Sequence, residues 1–397
     1  MGASGAGGAA GAQPEPIPLA RPVLGEPEER AVIDVLRSGQ LSLGPRLVEF
    51  ERRFAARIGA PLASAVSSGT AGLHLALRAA GVEEGDEVIT SPFSFVASAN
   101  AALYERARPV FADIDPVTLN LDPAAAAAAV TERTRALLPV HIFGYPADMP
   151  AFEALAAAHG LAIVEDACEA LGARHGDGPA VGSRGHAAVF AFYANKQLTT
   201  GEGGMITLAD AAAKERIDSE RNQGRAADMG WLDHDRLGFN YRLSDIACAL
   251  GIAQLERLEE MLAGRLRVAA LYRQALAAID DLQLPCEDAG GDERGWFVFV
   301  VQLPAGVERD AVIGELAAEG IQSKPYLPAI HLMSFYRERF GHRDGEFPVC
   351  EDAAARSLAL PFFPQMRDGQ VARVAERLDA ALARCRAGSG GRAPSRP

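Results

Sequence analysis

Short apolar runs and helical patterns alternate through the first half of the chain. The apolar runs recur about every 25 residues, and each is long enough for a buried strand. They lie at 87–90, 109–115, 136–143, 162–168 and 188–193. Helices are predicted at 70–80, from Pro123 and at 149–159, with Asp122 at one start and glycines after two of the ends. This alternation is typical of a mostly parallel sheet covered by helices, which is an α/β fold.

The second half of the chain has a different pattern. From Ser244 a long helical stretch places leucines at 255, 258, 262 and 266 on one stripe, which we interpret as the connection between two domains. A polar segment at 286–295, an apolar strand at 296–303 and a helix at 309–319 then predict a smaller α+β domain. The predicted units are a flexible tail at 1–16, a large domain at 17–255, a small domain at 256–386 and a flexible tail at 387–397.

Composition narrows the classes of protein to consider. With 49% hydrophobic and 23% charged residues among 397, the chain can bury a large core and is not a disordered sequence. A formal net charge of −13 argues against nucleic acid or an anionic membrane as the partner. No run of about 18 apolar residues and no signal peptide is found, so neither a membrane span nor secretion is expected.

The cysteines and the metal-binding residue types add little chemistry. The five cysteines are widely separated and form no CxxC pair, which indicates a reduced, cytoplasmic protein. No cluster with metal-ligand spacing occurs, so no metal is expected. His74 and His141 are interpreted as packing residues.

The segment VSSGTAGLHLAL at 66–77 joins the end of an apolar strand to a helix. Backbone N–H groups at a helix N-terminus, together with the hydroxyl of Thr70, suit a phosphate. An ordinary Ser/Thr helix cap is the alternative. The segment is neither a GxGxxG nor a Walker sequence, so it does not indicate dinucleotide or nucleoside-triphosphate binding in those modes.

Three further features suggest chemistry on a planar cofactor. Asp166 ends the strand IVED, where it either partners a protonated pyridine nitrogen or caps a turn. Lys196, before the glycine-rich TTGEGG, is either a surface charge or an amine for Schiff-base chemistry. Phe93 and Phe95 in SPFSFVASAN are core residues, or one of them stacks on a cofactor ring.

Taken together, these segments resemble a known family. The sequence carries, in order, SSGTAGLHLAL, SPFSFVASAN, DIDPVTLNLDP, PVHIFGYPADM, IVEDACEALGA, FYANKQLTTGEGG and LGFNYRLSDIACALGIAQLERL. Over about residues 25 to 375 it resembles the DegT/DnrJ/EryC1/StrS family of nucleotide-sugar aminotransferases that use pyridoxal 5'-phosphate. The resemblance implies a fold type I aminotransferase, usually a homodimer with active sites shared between subunits. It also implies a nucleotide-linked keto sugar as substrate and glutamate as the expected amino donor.

The resemblance assigns roles to individual residues. It makes Lys196 the lysine that bonds to the cofactor and Asp166 the partner of the pyridinium nitrogen. The further cofactor-binding residues that it implies are Gly69, Thr70, Ala71, Phe95, Glu169 and, from the neighbouring subunit, Asn240. Tyr326 and His331 are the expected sugar contacts, with simple packing as their alternative.

Three residues depart from the family pattern. Ala191 stands where a phosphate-binding serine is common, Glu169 where glutamine is common near the ring hydroxyl, and Ala194 where proline is usual. Lys196 is retained, which argues against the branch that has histidine there and performs dehydration. Amination of a cyclitol or another ketone and a non-catalytic cofactor-binding scaffold or sensor remain alternatives, but a sensor needs neither Lys196 nor Asp166.

Overall fold

The computed structural model describes residues 15–176, 178–226 and 233–389, which form two β-sheets with helices packed around them. The strands are β1 Leu62–Val66, β2 Glu87–Thr90, β3 Arg108–Phe111, β4 Thr134–Leu138, β5 Ala162–Asp166, β6 Ala187–Ala191, β7 Gly204–Leu208, β8 Phe299–Gln302, β9 Lys324–Pro325 and β10 Ser357–Leu360. The helices are α1 Glu26–Ser38, α2 Pro45–Ile58, α3 Gly69–Ala79, α4 Ala97–Tyr104, α5 Pro123–Ala128, α6 Met149–His159, α7 Ala211–Glu220, α8 Asp245–Glu256, α9 Leu258–Leu276, α10 Arg309–Ala318, α11 Ser334–Phe340, α12 Pro348–Arg356 and α13 Asp368–Ser389.

The larger sheet has seven strands in the order β1-β7-β6-β5-β4-β2-β3. The pairs between β6, β5, β4, β2 and β3 are parallel, whereas β7 runs antiparallel to both β1 and β6. The smaller sheet is antiparallel, with β10 between β8 and β9. The predicted α/β class and the mostly parallel sheet are therefore confirmed.

Local signals located the helix ends well. The helix predicted at 149–159 is α6, and Gly160 follows it in the left-handed conformation with φ 67°. Asp122 caps α5 by accepting a hydrogen bond from the Ala124 N–H group at 2.8 Å. These ends depend on capping side chains and glycine backbone freedom, which a few neighbouring residues determine.

Strand ends were predicted less well. The apolar runs at 109–115 and 136–143 continue past β3 and β4, because their last residues leave the sheet at its carboxyl edge. The run at 296–303 likewise extends on both sides of β8. Strand β7, which directly follows the glycine-rich turn, was not predicted.

The leucine stripe at 255–266 is wrong as a single buried face. The helical stretch divides at Arg257 into α8 and α9, and Leu266 is 59% exposed. The buried face of α9 includes Met261, Val268 and Tyr272 instead. Met261 packs in a core cluster with the larger sheet, and Tyr272 packs with the smaller one, so α9 does run from one core to the other.

The predicted domain ends differ from the packing in two places. Ile17, the first residue of the predicted large domain, packs with the smaller sheet's cluster and pairs with Ile321. The backbone of α13 continues through Ser389, three residues into the predicted C-terminal tail. Residues 1–14 and 390–397 of the two predicted tails lie outside the described residues. Within the described ranges, no helix combines the length and apolar character needed to span a bilayer.

Candidate active site

A cavity of about 580 Å³ opens at the carboxyl edge of the larger sheet. The parallel strands all end at this edge, and the reversed strand β7 begins there, so the loops after β1, β2, β5 and β6 meet the turn before β7. Open α/β sheets place ligands at such an edge. We call this space the strand-end cavity. Its lining comprises Ser68, Gly69, Thr70, Leu73, Ser94, Phe95, Ala97, Val140, Asp166, Cys168, Glu169, Ala191, Tyr193, Asn195, Lys196, Glu202, Gly203, Phe297, Lys324, Pro325, Tyr326 and Leu327.

The Asp166 carboxylate is held rigidly at the end of β5. Its Oδ2 accepts a hydrogen bond from the Ser98 hydroxyl at 2.7 Å, and its Oδ1 accepts one from the Cys168 N–H group at 3.1 Å. The backbone is fixed as well, since the Asp166 N–H group donates to the Pro139 carbonyl and the His141 N–H group to the Asp166 carbonyl. A fixed, hydrogen-bonded carboxylate is suited to stabilise a cation in the cavity.

Lys196 enters the same cavity from the loop after β6. Its ammonium lies 3.8 Å from the centre of the Phe297 ring and 3.5 Å from Glu169 Oε1. The next residue, Gln197, anchors the loop by donating from its side-chain amide to the carbonyls of Glu169 and Gly295, both at 2.6 Å. The amine is therefore positioned between a residue that follows β5 and one that precedes β8, with only 13% of its side chain exposed.

Glu169 connects three parts of the cavity wall. Its Oε2 accepts from the Phe143 N–H group at 3.0 Å, and the Tyr326 hydroxyl donates to its Oε1 at 3.4 Å. Burial raises the pKa of Glu169, and the positive charge of Lys196 offsets only part of that effect. Burial and the Glu169 carboxylate likewise raise the pKa of Tyr326, so its phenol stays protonated.

The N-terminus of α3 forms another side of the cavity. Ser68 caps the helix by accepting from the Ala71 N–H group at 3.1 Å, so Ala71 is committed within the chain and does not line the cavity. Gly69 and Thr70 do line it. A Cβ atom on Gly69 would come within 2.8 Å of both Ala191 Cβ and Cys168 Sγ, so glycine is needed for the helix end to approach β6 this closely.

The other predicted site residues are distributed unevenly. Phe95 is 62% exposed and lines the cavity, whereas Phe93 is fully buried in the core. Asn240 is exposed and is not among the lining residues of its own chain's cavity. Tyr326 lines the cavity, but His331 does not: its buried ring faces Glu351, with Nε2 3.1 Å from Oε1, and packs on Phe347.

Sequence reasoning missed three residues that contribute to the cavity. Ser98 could have been found, since it follows the quoted SPFSF segment at the start of a helix where a hydroxyl reaches neighbouring groups. Phe297 and Lys324 come from the region of the smaller sheet. Their approach to Lys196 and to the cavity mouth is set by tertiary packing and leaves no local signal.

On the opposite face of β5, Glu165 makes a separate buried pair. Its Oε2 lies 3.1 Å from His141 Nε2, and neither side chain is exposed. His141 Nδ1 accepts from the Ala147 N–H group, so Nε2 carries the hydrogen that bonds Glu165. Burial is the largest single influence and would raise the pKa of Glu165, but the hydrogen bond from His141 and the electrostatic effect of the nearby histidines together lower it. This confirms that His141 is buried in the packing. His74 is buried too, against Glu105 and Tyr241.

Comparison with known proteins identifies similar chains. Residues 22–379 match the model of the DegT/DnrJ/EryC1/StrS aminotransferase family. The chain is 40% identical to the spore coat polysaccharide biosynthesis protein SpsC of Bacillus subtilis over 91% of its length and 95% of that protein. It is 38% identical to the GDP-perosamine synthase of Caulobacter vibrioides, over 92% and 98%.

A solved structure agrees with these sequence matches. DesV of S. venezuelae, solved in complex with a ketimine intermediate, has 36% identity and a TM-score of 0.85. The match covers 89% of this chain and 94% of DesV.

The cofactor of these enzymes is pyridoxal 5'-phosphate. The described residues fit it: Lys196 offers an amine, Asp166 a fixed carboxylate, and Gly69 and Thr70 a helix N-terminus, all facing one cavity. The glycine at position 69 lets this helix end pack closely against Ala191 and Cys168, both of which also line the cavity. Among the described residues, no group of three or more His, Cys, Asp or Glu side chains could hold a metal.

Proposed function

The chain belongs to the DegT/DnrJ/EryC1/StrS aminotransferase family and is a sugar aminotransferase dependent on pyridoxal 5'-phosphate, and from this premise we propose that it transfers an amino group from glutamate to the keto group of a nucleotide-linked sugar. The name of the Caulobacter relative, GDP-perosamine synthase, supports a nucleotide-linked substrate. The observation that carries the proposal is the common cavity of Lys196 and Asp166.

Each of these two residues has a distinct task. When bound, pyridoxal 5'-phosphate supplies an electron-accepting ring that eases loss of a proton from the carbon bearing the amino group. Asp166, held by Ser98 and Cys168, would stabilise a proton on the ring nitrogen through its negative charge. Lys196 Nζ accepts and returns the substrate proton as general base and acid.

Residues that line the strand-end cavity would contact the phosphate and the ring of pyridoxal 5'-phosphate. Gly69 and Thr70 would hold the phosphate at the N-terminus of α3, where backbone N–H groups and the helix dipole favour an anion. Ala191 has no hydroxyl that could donate to the phosphate, so phosphate binding would depend more on Gly69 and Thr70. Phe95 would stack on the ring, Glu169 would face the ring hydroxyl, and Tyr326 would contact the sugar.

We also propose that the working unit is a cytoplasmic homodimer. Asn240 is exposed and separate from its own cavity, which suits a contact with the cofactor phosphate of a second copy. An amide can donate to a phosphate oxygen without adding charge to the site. The five cysteines are free in the described chain, in keeping with a reducing compartment.

The test has two stages. Adding glutamate to the purified holoenzyme should change the visible absorbance of the cofactor, and an unchanged spectrum would contradict the proposed donor. The aminated cofactor form is then mixed with a panel of nucleotide-linked keto sugars and with cyclitol ketones. Return of the original spectrum with a nucleotide-linked sugar supports the proposal, whereas a response to cyclitol ketones alone would replace it.

A further inference from the structure

Lysine is rare in this chain, and two of its three copies line the strand-end cavity. Of the 39 lysines and arginines, only residues 196, 214 and 324 are lysine. Lys214 lies on α7, outside the cavity, and its ammonium bonds Asp218 at 2.6 Å. Arginine pairs with carboxylates through a planar fork, whereas lysine is a compact charge with three freely rotating donors. Lys324 therefore places a compact positive charge with three donors at the cavity.

The backbone fixes Lys324 at the mouth of the cavity. It belongs to β9, an edge strand of the smaller sheet, and pairs with Ala359 of β10. Two residues later, Tyr326 reaches Glu169 inside the cavity. The Lys324 side chain is exposed, and no carboxylate in the described part of the chain forms an ion pair with it. Its position is set by the sheet while its charge stays available.

The charges of the cavity wall differ with depth. Lys196, at 13% exposure, is engaged by Glu169 and the Phe297 ring. The lining also contains the carboxylates of Asp166 and Glu202, which would repel an anionic ligand that lies beside them. Of the two lysines in this lining, Lys196 is paired with Glu169, whereas Lys324 has no ion pair among the described residues. An anionic group that enters with its reacting carbon near Lys196 would be neutralised best at Lys324.

We propose that Lys324 binds the diphosphate of the substrate and thereby selects nucleotide-linked sugars over free ketones. This inference rests on the proposed function. The carboxylates of the amino donor are the competing anions, but one of them is attached to the very carbon that must reach the mostly enclosed Lys196. A diphosphate is separated from the keto carbon by the sugar ring, so it can lie beside the exposed Lys324 while the keto carbon is near Lys196. Its several oxygens suit the three donors of one ammonium.

The three-lysine composition permits a direct labelling test. The holoenzyme is treated with a limiting amount of an amine-acetylating reagent, alone or with saturating GDP, UDP or 2-oxoglutarate, and peptides are quantified by mass spectrometry. At least one nucleotide should slow acetylation of Lys324 about tenfold, the effect of one charge-assisted contact, while Lys214 reacts at an unchanged rate. The inference would be overturned if neither nucleotide slowed the acetylation of Lys324, or if 2-oxoglutarate slowed it as much as the nucleotides do.

Binding to variants provides the second measurement. Calorimetric titration of GDP and UDP into the holoenzyme should show about tenfold weaker binding for Lys324→Gln, with Lys214→Gln unchanged. Unchanged binding by Lys324→Gln, or no binding by the wild type, would count against a diphosphate contact. The glutamate-driven absorbance change is followed in parallel. If it persists, the aminotransferase activity stands whatever the nucleotide results; if the wild type lacks it, the proposed function itself fails.

Discussion

The two faces of strand β5 contrast sharply at its carboxyl end. Glu165 points to one face and is enclosed with His141, while Asp166 points to the other and lines the strand-end cavity. Three residues later, Glu169 joins the cavity side. Burial acts on both glutamates, yet the pKa of Glu165 is lowered and the pKa of Glu169 is raised.

The difference follows from the partners that each carboxyl meets. Glu165 has a histidine donor that offsets its desolvation, whereas the groups around Glu169 do not compensate for its burial. On the Glu165 side, the groups that contact Oε2 are His141 and the Gly182 N–H group of the same chain. The cavity side contains an amine, carboxyls and an exposed aromatic ring that are arranged for a ligand. Two glutamates only four positions apart therefore have different roles: Glu165 is part of the packing, and Glu169 is part of the ligand cavity.

The largest effect is expected for Lys196→Ala on the cavity side. The variant should remain folded but lose turnover by about 10⁴-fold or more, because it removes both the cofactor-bonding amine and the proton carrier. Steady-state transamination measures the loss, with Lys214→Ala as a control that keeps activity. Normal turnover by Lys196→Ala would break the assignment of this side to catalysis.

Asp166→Asn, compared with a variant of Glu165, tests the difference between the two faces of β5. The amide keeps the shape but removes the charge beside the ring nitrogen, so the single-turnover rate should fall about a hundredfold or more. Glu165→Gln is the matched control. It should lower stability by about 1–2 kcal/mol because the buried hydrogen bond from His141 loses its charged acceptor, with the single-turnover rate of the folded enzyme near wild type. A wild-type rate in Asp166→Asn would make Asp166 structural.

Variants of Asn240 test whether the strand-end cavity of one chain is completed by Asn240 of a second chain. Equal amounts of Asn240→Ala and Lys196→Ala chains, after exchange, should recover about a quarter of wild-type activity, because half the dimers are mixed and each mixed dimer has one intact site. Mixed dimers are verified by mass or affinity tag. Activity no higher than that of the two separate variants would mean that Asn240 serves its own chain.

Glu169→Gln should give the smallest effect, a small change in thermal stability. The direction of that change distinguishes Glu169 from Glu165. A raised pKa means that the folded protein holds the Glu169 proton more tightly than the unfolded chain, so ionisation costs stability. That cost is absent below the ordinary pKa of 4.5 and grows as the pH rises through the raised pKa. The apoprotein variant should therefore gain, over that window, a melting temperature advantage on the order of 1 °C.

The matched series with Glu165→Gln should run the other way. The lowered pKa of Glu165 contributes stability that is present above the ordinary pKa and is lost as the pH falls through the lowered pKa. Thermal unfolding of the wild type and both variants across pH provides the comparison. Parallel pH dependences for the two variants would contradict the opposite environments inferred here.

Much of the fold could be predicted because its signals are local. Capping residues and glycines located α6 and the start of α5, and the apolar runs located β2 and β5. Leu266 shows where the periodicity misled, since α8 and α9 divide at Arg257 and each turns its own face to the core. Strand β7 was missed because its antiparallel pairing with β1 and β6 is a tertiary choice.

The sequence by itself determined the alternation of strands and helices, the identity of Lys196 and Asp166 as candidates, and the family they resemble. These depend on residue type and on short-range spacing. Only the tertiary structure decided that Phe297 lies against the Lys196 ammonium, that Tyr326 reaches Glu169 and that His331 is turned away. It also decided the opposite pKa shifts of Glu165 and Glu169. Burial and electrostatic partners depend on distance in space, and packing brings these residues together from remote parts of the chain.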